Sequence, residues 1–342
     1  PLGPCTLIDT AGFDDATELG EERLEKTRLA AEKTDIAIIL LVDTDMDEEL
    51  HWYEQFKEKK TPVIWVIGKA DIRNDTEKIN ETLYQQTGQR AIVISAATGD
   101  GMDQVRKELV RNLPEQYGAS SILRELVTKG DLVMLVMPQD IQAPKGRLIL
   151  PQVQTLRELL DKKCLVMSVT TDQYVEALSH LTEEPKLIIT DSQVFAYVYE
   201  HKPKKSMLTS FSVLFAAHKG DIEYYIEGAN AIGKLNGESH VLIAECCTHA
   251  PLKEDIGREK IPKMLRKRYG ETMKIDIVSG TDFPDDLTGY DLIIQCGGCM
   301  FNRKYIMSRI DHAKEQQKPM TNYGVTIAYL TGILDKVVVP RF

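Results

Sequence analysis

Short apolar runs alternate with amphipathic stretches along the first third of the chain. Ile36–Val42 is apolar throughout, which is typical of a strand buried on both faces of a sheet. The βαβ order of the runs implies a parallel sheet that is covered by helices on both sides. The pattern predicts strands at Cys5–Ile8, Ile36–Val42, Val63–Ile67 and Ala91–Ser95, and helices at Leu19–Glu32, Glu48–Lys59 and Met102–Leu113.

The same alternation of apolar runs and amphipathic stretches occurs twice more after a linker-like stretch at residues 114–121. We expect the helix over residues 152–162 to bury one apolar face, made of Val153, Leu156, Leu159 and Leu160. A second helix is predicted at Gln173–Leu181. The predicted strands are Leu132–Met137, Leu165–Val169 and Leu187–Thr190, then Val241–Ala244, Lys274–Val278 and Leu292–Gln295.

Composition and charge narrow the class of protein. Apolar residues make up 43% of the 342 residues, enough for a buried core, and the length exceeds that of one ordinary domain. We predict an α/β protein with three domains, over residues 1–117, 118–212 and 213–342. The formal net charge of −10 argues against a nucleic-acid partner, and no apolar run is long enough to cross a membrane. The basic stretch Arg258–Arg268 predicts a solvated helix face, with docking of an acidic partner as the alternative.

Cysteine usage adds candidate chemistry. Four of the six cysteines fall between Cys246 and Cys299, and no signal peptide is visible. Such clustering favours metal or redox chemistry in the cytoplasm over structural disulfides. Cys5 and Cys164 lie singly in apolar runs, where we expect them to be small buried residues.

The first predicted strand runs into an Asp-x-x-Gly motif, Asp9 to Gly12. In GTPases this Asp reaches Mg²⁺ through water, and the Gly amide reaches the γ-phosphate. No phosphate loop of the type Gly-x-x-x-x-Gly-Lys-Ser/Thr precedes Asp9 in this sequence, so we expect the chain as given to bind and hydrolyse GTP poorly. The segment Gly228–Leu235 has a similar spacing without the hydroxyl, and there we expect a glycine-rich turn.

Two further strand ends carry residues of the guanine-binding type. Gly68 to Asp71 resembles Asn-Lys-x-Asp, in which the Asp accepts from the guanine N1 and N2 protons and the stem of Lys69 covers the base. Gly68 replaces the usual Asn. Ser95 and Ala96 follow the next strand, as a third guanine-contacting loop would. The order of these motifs predicts a GTPase-type domain whose cofactors are GTP and Mg²⁺.

The cysteines of the last third form a metal-ligand pattern. Cys296 and Cys299 are separated by two glycines, which permits the tight turn that lets two thiolates bind one metal centre. Cys247, after a neighbouring strand, would supply a third thiolate. Cys246 and Cys247 can hardly face one centre together, and we assign Cys246 to packing.

Three cysteines leave one position of a 4Fe–4S cluster for another ligand. Glu254, Asp255, His249 or an exogenous species are candidates for it. A structural zinc site of Cys₃His type, with His249, satisfies the same spacing. A redox dithiol at Cys296 and Cys299 is a further alternative.

In these residues and their order, the chain resembles the FeFe-hydrogenase maturation GTPases (HydF) over essentially its whole length. Cys247, His249, Cys296 and Cys299 match the family pattern Cys-x-His … His-Cys-x-x-Cys, and Gln295 stands where the family often has His. The resemblance implies an incomplete Ras-like GTPase domain, a parallel-sheet dimerisation domain and an α/β iron–sulfur cluster-binding domain.

The resemblance also implies a function. Such proteins are scaffolds that hold a 4Fe–4S cluster with an exchangeable fourth site and deliver a di-iron precursor to the apo FeFe-hydrogenase. Radical-SAM maturases are the expected upstream partners, a homodimer is the expected assembly, and GTP hydrolysis is expected to regulate partner exchange. Two alternatives are a zinc-stabilised GTPase of the translation or ribosome-assembly type, and a thiol–disulfide redox protein.

Overall fold

The computed structural model contains two compact units, Pro1–Ala119 and Ser120–Phe342. The strands that the structure describes form three parallel sheets with helices in the connections, so the predicted α/β class is confirmed. In the described part of the chain, no helix is long and apolar enough to cross a membrane. The domain boundaries at 117/118 and 212/213 stay predictions. The structure describes residues 5–10, 27–28, 30–113, 121–138, 148–246, 255–298 and 301–341.

The first unit is built on a sheet of order β1-β2-β3. Trp65 and Ile67 of the central strand pack with Ile79 and Leu83 in the largest apolar cluster of this unit. The central strand is buried along most of its length, which explains why its sequence is continuously apolar. The elements are β1 (Ala37–Leu41), α1 (Asp47–Glu58), β2 (Val63–Ile67), α2 (Thr76–Thr87), β3 (Ile92–Val93) and α3 (Met102–Arg111).

The second unit begins with a four-stranded sheet of order β5-β4-β6-β7. Its central strands β4 and β6 are almost wholly buried, whereas the edge strand β5 is partly exposed. The elements are β4 (Leu132–Val136), α4 (Leu150–Asp161), β5 (Leu165–Val169), α5 (Tyr174–Ser179), β6 (Leu187–Thr190), α6 (Phe195–His201) and β7 (Met207–Ser210).

A second four-stranded sheet, of order β11-β10-β8-β9, completes this unit. Met134 and Ile188 of the preceding sheet belong to the same apolar core as Val241 and Ile293 of this one, so the two sheets share a core. The elements are α7 (Phe211–Lys219), α8 (Ile222–Ala229), β8 (His240–Ala244), α9 (Ile261–Tyr269), β9 (Lys274–Val278), β10 (Leu292–Gln295), α10 (Arg303–Glu315), β11 (Met320–Asn322) and α11 (Tyr323–Leu330).

The strand predicted at Cys5–Ile8 is wrong. Residues 5–10 have neither helix nor strand geometry, and Leu7 is 86% exposed. A strand is held by backbone hydrogen bonds to a neighbouring strand, and no described strand pairs with this stretch. Cys5 is therefore exposed and not buried, whereas Cys164 is buried as expected.

The buried face predicted for α4 is wrong in part. Leu159 is buried, but Val153 is 46% exposed and Leu160 is 56% exposed. Gln152 and Thr155 are buried instead, and the Gln152 side chain donates a hydrogen bond to Asp191. A polar residue can occupy the inner face of a helix when it finds a hydrogen-bond partner there, as Gln152 does, so the apolar residues alone did not define that face.

The glycine-rich turn expected at Gly228–Leu235 is also wrong. Gly228 lies in α8, and a short 3₁₀ helix, Asn230–Lys234, follows α8 directly. A Cβ atom on Gly228 would lie 2.0 Å from the carbonyl oxygen of Met320. This glycine therefore allows close contact between α8 and β11, which explains its presence without a phosphate-binding role.

Candidate functional site

The guanine-type residues of the first unit meet at the carboxyl ends of β2 and β3. The Ser95 hydroxyl, which is buried, donates a hydrogen bond of 2.7 Å to Oδ1 of Asp71. The backbone N–H of Ala70 donates to the carbonyl of Ile94 at 3.0 Å, which ties the two loops together. Lys69 and Asp71 are exposed, and so is Ala96. The cluster presents an oriented carboxylate and a lysine stem at the sheet edge where α/β proteins bind ligands.

The Mg²⁺-type residues are less fully described. Asp9 lies exposed in the irregular stretch 5–10, and the described residues include no hydrogen bond between it and the Asp71 cluster. Gly12 lies outside the described residues. A Cβ atom on Gly68 would have no neighbour within 4 Å, so the surroundings leave room for the larger residue that the motif usually has there.

Strand pairing brings the two cysteine segments to one edge of the third sheet. β8 and β10 are parallel neighbours with Ala244 opposite Gln295, so Cys246 and Cys296 both lie just beyond the carboxyl ends of these strands. The sulfur of Cys296, half-buried, accepts from the backbone N–H of Cys246 at 3.0 Å and from that of Gly298 at 3.4 Å. Backbone donors aimed at a sulfur stabilise its negative form, as they do in metal–thiolate sites.

The turn after Cys296 depends on a glycine. Gly298 has a φ angle of +59°, and a Cβ atom there would lie 2.5 Å from Cδ1 of Ile306. The backbone conformation favours glycine at this position, and any larger residue would also have to displace the end of the Ile306 side chain. The tight turn predicted for the Cys-x-x-Cys segment is present as far as residue 298.

The other predicted ligands, Cys247, His249, Glu254 and Cys299, lie outside the described residues. Among the residues that the structure does describe, no group of three or more His, Cys, Asp or Glu side chains could hold a metal ion. The ligand set therefore stays a prediction, with Cys296 as its one described member.

Cys246 is buried behind Cys296, in agreement with a packing role. Its sulfur accepts from the side-chain amide of Gln295 at 3.0 Å and lies 3.5 Å from Nη1 of Arg309. A hydrogen bond with Cys296, and then burial, raise the pKa of the Cys246 thiol far above its ordinary value. Gln295 is fully buried, and its amide faces Cys246 and Arg309.

Glu245 and Arg258, which precede and follow residues 247–254 in the chain, form an ion pair. Glu245 accepts from Nε of Arg258 at 2.9 Å, and Ser279 donates to the same carboxylate at 3.2 Å. Asp255 is buried and accepts from the backbone N–H groups of Gly257 and Arg258, so it acts as a helix cap. This role leaves Asp255 poorly suited to be the fourth metal ligand.

The prediction of a solvated basic face fails at Arg258, whose side chain is partly buried in an ion pair with Glu245. It also fails at Lys260, whose pKa is lowered by burial. Lys263 and Lys267 are exposed as expected.

Lys219 contacts the chain on both sides of residues 299–300. Its Nζ donates to the carbonyl of Gly298 at 2.9 Å and to that of Phe301 at 2.8 Å. Sequence reasoning missed Lys219, Glu245 and Arg309 as site residues. The position of Glu245 directly before the cysteine pair was a usable signal, whereas nothing near Lys219 or Arg309 in the sequence points to the cysteines.

Comparison with known proteins shows which class of protein part of the chain resembles. Over 129 residues the chain is 33% identical to GTPase Era of Alkaliphilus metalliredigens, covering 35% of this chain and 43% of that protein. It is 29% identical over 118 residues to GTPase Der of Campylobacter hominis, covering 34% and 25%. It is 33% identical over 132 residues to the tRNA modification GTPase MnmE of Thermotoga maritima, covering 36% and 28%. The chain thus spans less than half the length of these relatives, and part of it is similar to bacterial GTPases.

The remainder matches two models of one family. The hydrogen maturase F dimerization domain matches residues 122–220, and the hydrogen maturase F tetramerization domain matches residues 223–340. The two matches together take in well over half of the chain. The chain belongs to the hydrogen maturase F family, and the resemblance drawn from the sequence is confirmed.

Proposed function

We propose that this chain is part of a GTP-regulated scaffold for FeFe-hydrogenase maturation. In this proposal it holds a 4Fe–4S cluster on Cys247, Cys296 and Cys299, and it delivers a di-iron precursor, its cargo, to the apo-hydrogenase. Glu254 or His249 is the resting ligand of the fourth position. Radical-SAM maturases act upstream, and the protein works in the cytoplasm, where thiols stay reduced.

The observation that carries the proposal is the environment of Cys296. Two backbone N–H groups point at its sulfur, at the carboxyl edge of a parallel sheet and one strand away from the segment that continues into Cys247. The chain on either side of the two ligand segments is fixed by Lys219 and by the pair Glu245–Arg258. A cysteine sulfur with hydrogen bonds already in place, such as that of Cys296, fits a cluster, which would supply an iron with an open coordination position.

The residues around the cysteines have separate tasks in this proposal. The backbone donors to Cys296 hold its sulfur as a thiolate, and the ion pair Glu245–Arg258 holds the ends of the segment that carries Cys247, His249 and Glu254. A weak oxygen or nitrogen ligand in that segment can be displaced by the cargo without disturbing the thiolates.

The nucleotide-binding part of the proposal rests on the Asp71 cluster and on the similarity to GTPases. Asp71, oriented by Ser95, would read guanine, and Lys69 and Ala96 would flank the base. Asp9 and Gly12 would meet Mg²⁺ and the γ-phosphate.

Assembly is the third part of the proposal. A homodimer through the residues that match the dimerization model is supported by the edge strand β5, where Leu165 is 62% exposed, and by the exposed Val153 and Leu160 of α4. Apolar side chains beside an open strand edge suit contact with a second copy of the chain.

The deciding experiment is anaerobic reconstitution of the purified chain with iron and sulfide. We expect about four irons and four sulfides for each chain, and Cys296→Ala should abolish their uptake. Cys5→Ser, which changes an exposed cysteine of the other unit, is the matched control and should load normally. Retention of zinc with no uptake of sulfide would instead support the zinc-stabilised alternative and end this proposal.

A further inference from the structure

A buried guanidinium lies directly behind the cysteine edge. Arg309 of α10 is only 2% exposed. Its ring neighbours are Phe283 and Tyr305, whose centroids lie 4.8 Å and 4.9 Å from the guanidinium carbon. The planar guanidinium of an arginine carries a delocalised positive charge and stacks on aromatic faces, as Arg309 does here.

Within the described part of the chain, Arg309 makes its hydrogen bonds to neutral side chains and to a backbone carbonyl. Nη2 donates to the carbonyl of Gly280 at 2.6 Å and contacts the Tyr305 hydroxyl at 3.2 Å. Nη1 lies 3.3 Å from the amide oxygen of Gln295 and 3.5 Å from the sulfur of Cys246. Among the residues that the structure describes, Nε has no hydrogen-bond partner and no carboxylate lies within ion-pair distance.

A full charge buried without a counter-ion is costly, and proteins keep such a charge where it has a task. Hydrogen bonds connect Arg309 with the candidate metal site. The guanidinium contacts the Cys246 sulfur and the Gln295 amide oxygen, and the backbone N–H of Cys246 donates to the sulfur of Cys296. The Tyr225 hydroxyl is also fully buried and has no hydrogen-bond partner in the described part, and burial, followed by the charges of Cys246 and Cys296, raises its pKa.

We propose that Arg309 is the built-in counter-charge of the cysteine edge: it stabilises the negative charge of a metal–thiolate centre on Cys296 and thereby favours the reduced form of that centre. This inference rests on the proposed function, since it requires a redox-active centre at these cysteines. Arg309 is a positioning and charge-compensating residue, and it is no ligand itself. The reduction potential of an iron–sulfur cluster depends on nearby charge and on hydrogen bonds to its sulfurs. A positive charge at Arg309 would therefore raise the reduction potential of a centre on Cys296.

The test separates the effect of the charge of Arg309 from the effect of its packing. Arg309→Met removes the charge, Arg309→Gln removes it but keeps N–H donors, and Arg309→Lys keeps it without the planar fork. Lys314→Met, on the same helix, removes an exposed charge paired with Asp221 and is the matched control. Each full-length variant is reconstituted anaerobically with iron and sulfide. The ratio of reduced to oxidised centre is then measured by electron paramagnetic resonance at one fixed ambient potential.

We expect Arg309→Met and Arg309→Gln to lower the ratio of reduced to oxidised centre about tenfold, equivalent to about 59 mV for one electron. Arg309→Lys and Lys314→Met should stay close to the unaltered chain. A purely structural role predicts a different pattern, in which all three Arg309 variants lose thermal stability and none changes the ratio. That pattern would overturn the inference while leaving the proposed function intact. An unaltered chain that takes up no iron and sulfide would overturn both.

Discussion

The backbone N–H of Cys246 donates a 3.0 Å hydrogen bond to the sulfur of Cys296, across the ends of two neighbouring strands. The geometry makes Cys296 the acceptor of the pair and leaves the Cys246 sulfur turned toward Gln295 and Arg309. The two cysteines therefore have different environments although both lie at the same sheet edge. This difference decides which thiols we expect to bind metal.

Our first prediction follows from that difference. Cys246→Ala should leave iron uptake close to that of the unaltered chain, because its sulfur faces the buried arginine and its backbone N–H is retained. Cys247→Ala should abolish uptake, because it removes a predicted ligand. Iron and sulfide analysis after anaerobic reconstitution checks both. Loss of iron in Cys246→Ala would make Cys246 a ligand, and the exchangeable fourth position would then be refuted.

The pair Glu245–Arg258 provides the second prediction. Arg258→Met leaves the largely buried Glu245 carboxylate without its cation and should cost about 2 kcal/mol, or about 4–8 °C in Tm for a unit of this size. Lys267→Met, on the exposed face of the same basic stretch, should have little effect. Differential scanning calorimetry of the apo protein measures both changes.

The double variant tests whether the effect belongs to the pair. Glu245→Gln added to Arg258→Met should cost much less than the sum of the two single changes, because the second substitution removes the carboxylate that the first left unpaired. Strictly additive losses would show that Glu245 and Arg258 do not stabilise the fold through each other.

The sequence was most informative where strands are buried on both faces. Val63–Ile67, Leu187–Thr190 and Leu292–Gln295 have the predicted bounds, because continuous apolar runs are typical of parallel strands under helices. β11, Met320–Asn322, was missed because three residues ending in threonine and asparagine carry no such pattern. Its strand geometry comes from pairing with β10, which is a tertiary effect.

The residues of the candidate sites also differ in how far the sequence could predict them. Strand-end placement made Asp71, Ser95 and Cys296 predictable, since the carboxyl ends of parallel strands are the usual ligand edge. Arg309 was not predictable, because an arginine inside an amphipathic helix is normally solvated and nothing local indicates its burial. Tertiary packing determines which groups surround a buried polar side chain. The hydrophobic pattern of one sequence therefore does not show which residues will contact it.

The Ser95–Asp71 hydrogen bond gives the third prediction, which concerns guanine recognition. Ser95→Ala should weaken guanine-nucleotide binding about fivefold, because Asp71 loses the donor that orients its carboxylate and one such bond is worth about 1 kcal/mol. Asp71→Asn should shift preference from guanine to xanthine nucleotides. Fluorescent-nucleotide titration of a longer chain that carries a phosphate loop ahead of Asp9 is the measurement. Equal affinity for both bases in the unaltered protein would contradict the assignment of Asp71.

Gly68 gives the fourth prediction, a gain in affinity. A Cβ atom there meets nothing within 4 Å, so Gly68→Asn should be accommodated and should complete the Asn-Lys-x-Asp motif. We expect guanine-nucleotide affinity to rise about three- to tenfold, the value of one additional hydrogen bond. Gly68→Ala is the control, since it adds the Cβ atom without the amide and should bring no gain. An Asn variant that binds no better than the Ala variant would show that the loop places residue 68 away from the nucleotide.

The edge strand β5 gives the last prediction, which concerns assembly. Leu165→Lys, alone or with Leu160→Glu, places charge on the exposed apolar side chains beside this edge and should convert the oligomer to a smaller species. Sedimentation equilibrium measures the mass. Ile72→Lys, which alters an equally apolar residue that is 74% exposed in the first unit, should leave the mass unchanged. If the β5 variants keep the mass of the unaltered chain while the protein stays folded, the dimer contact lies elsewhere among residues 122–220, or the tetramerization segment 223–340 alone holds the copies together.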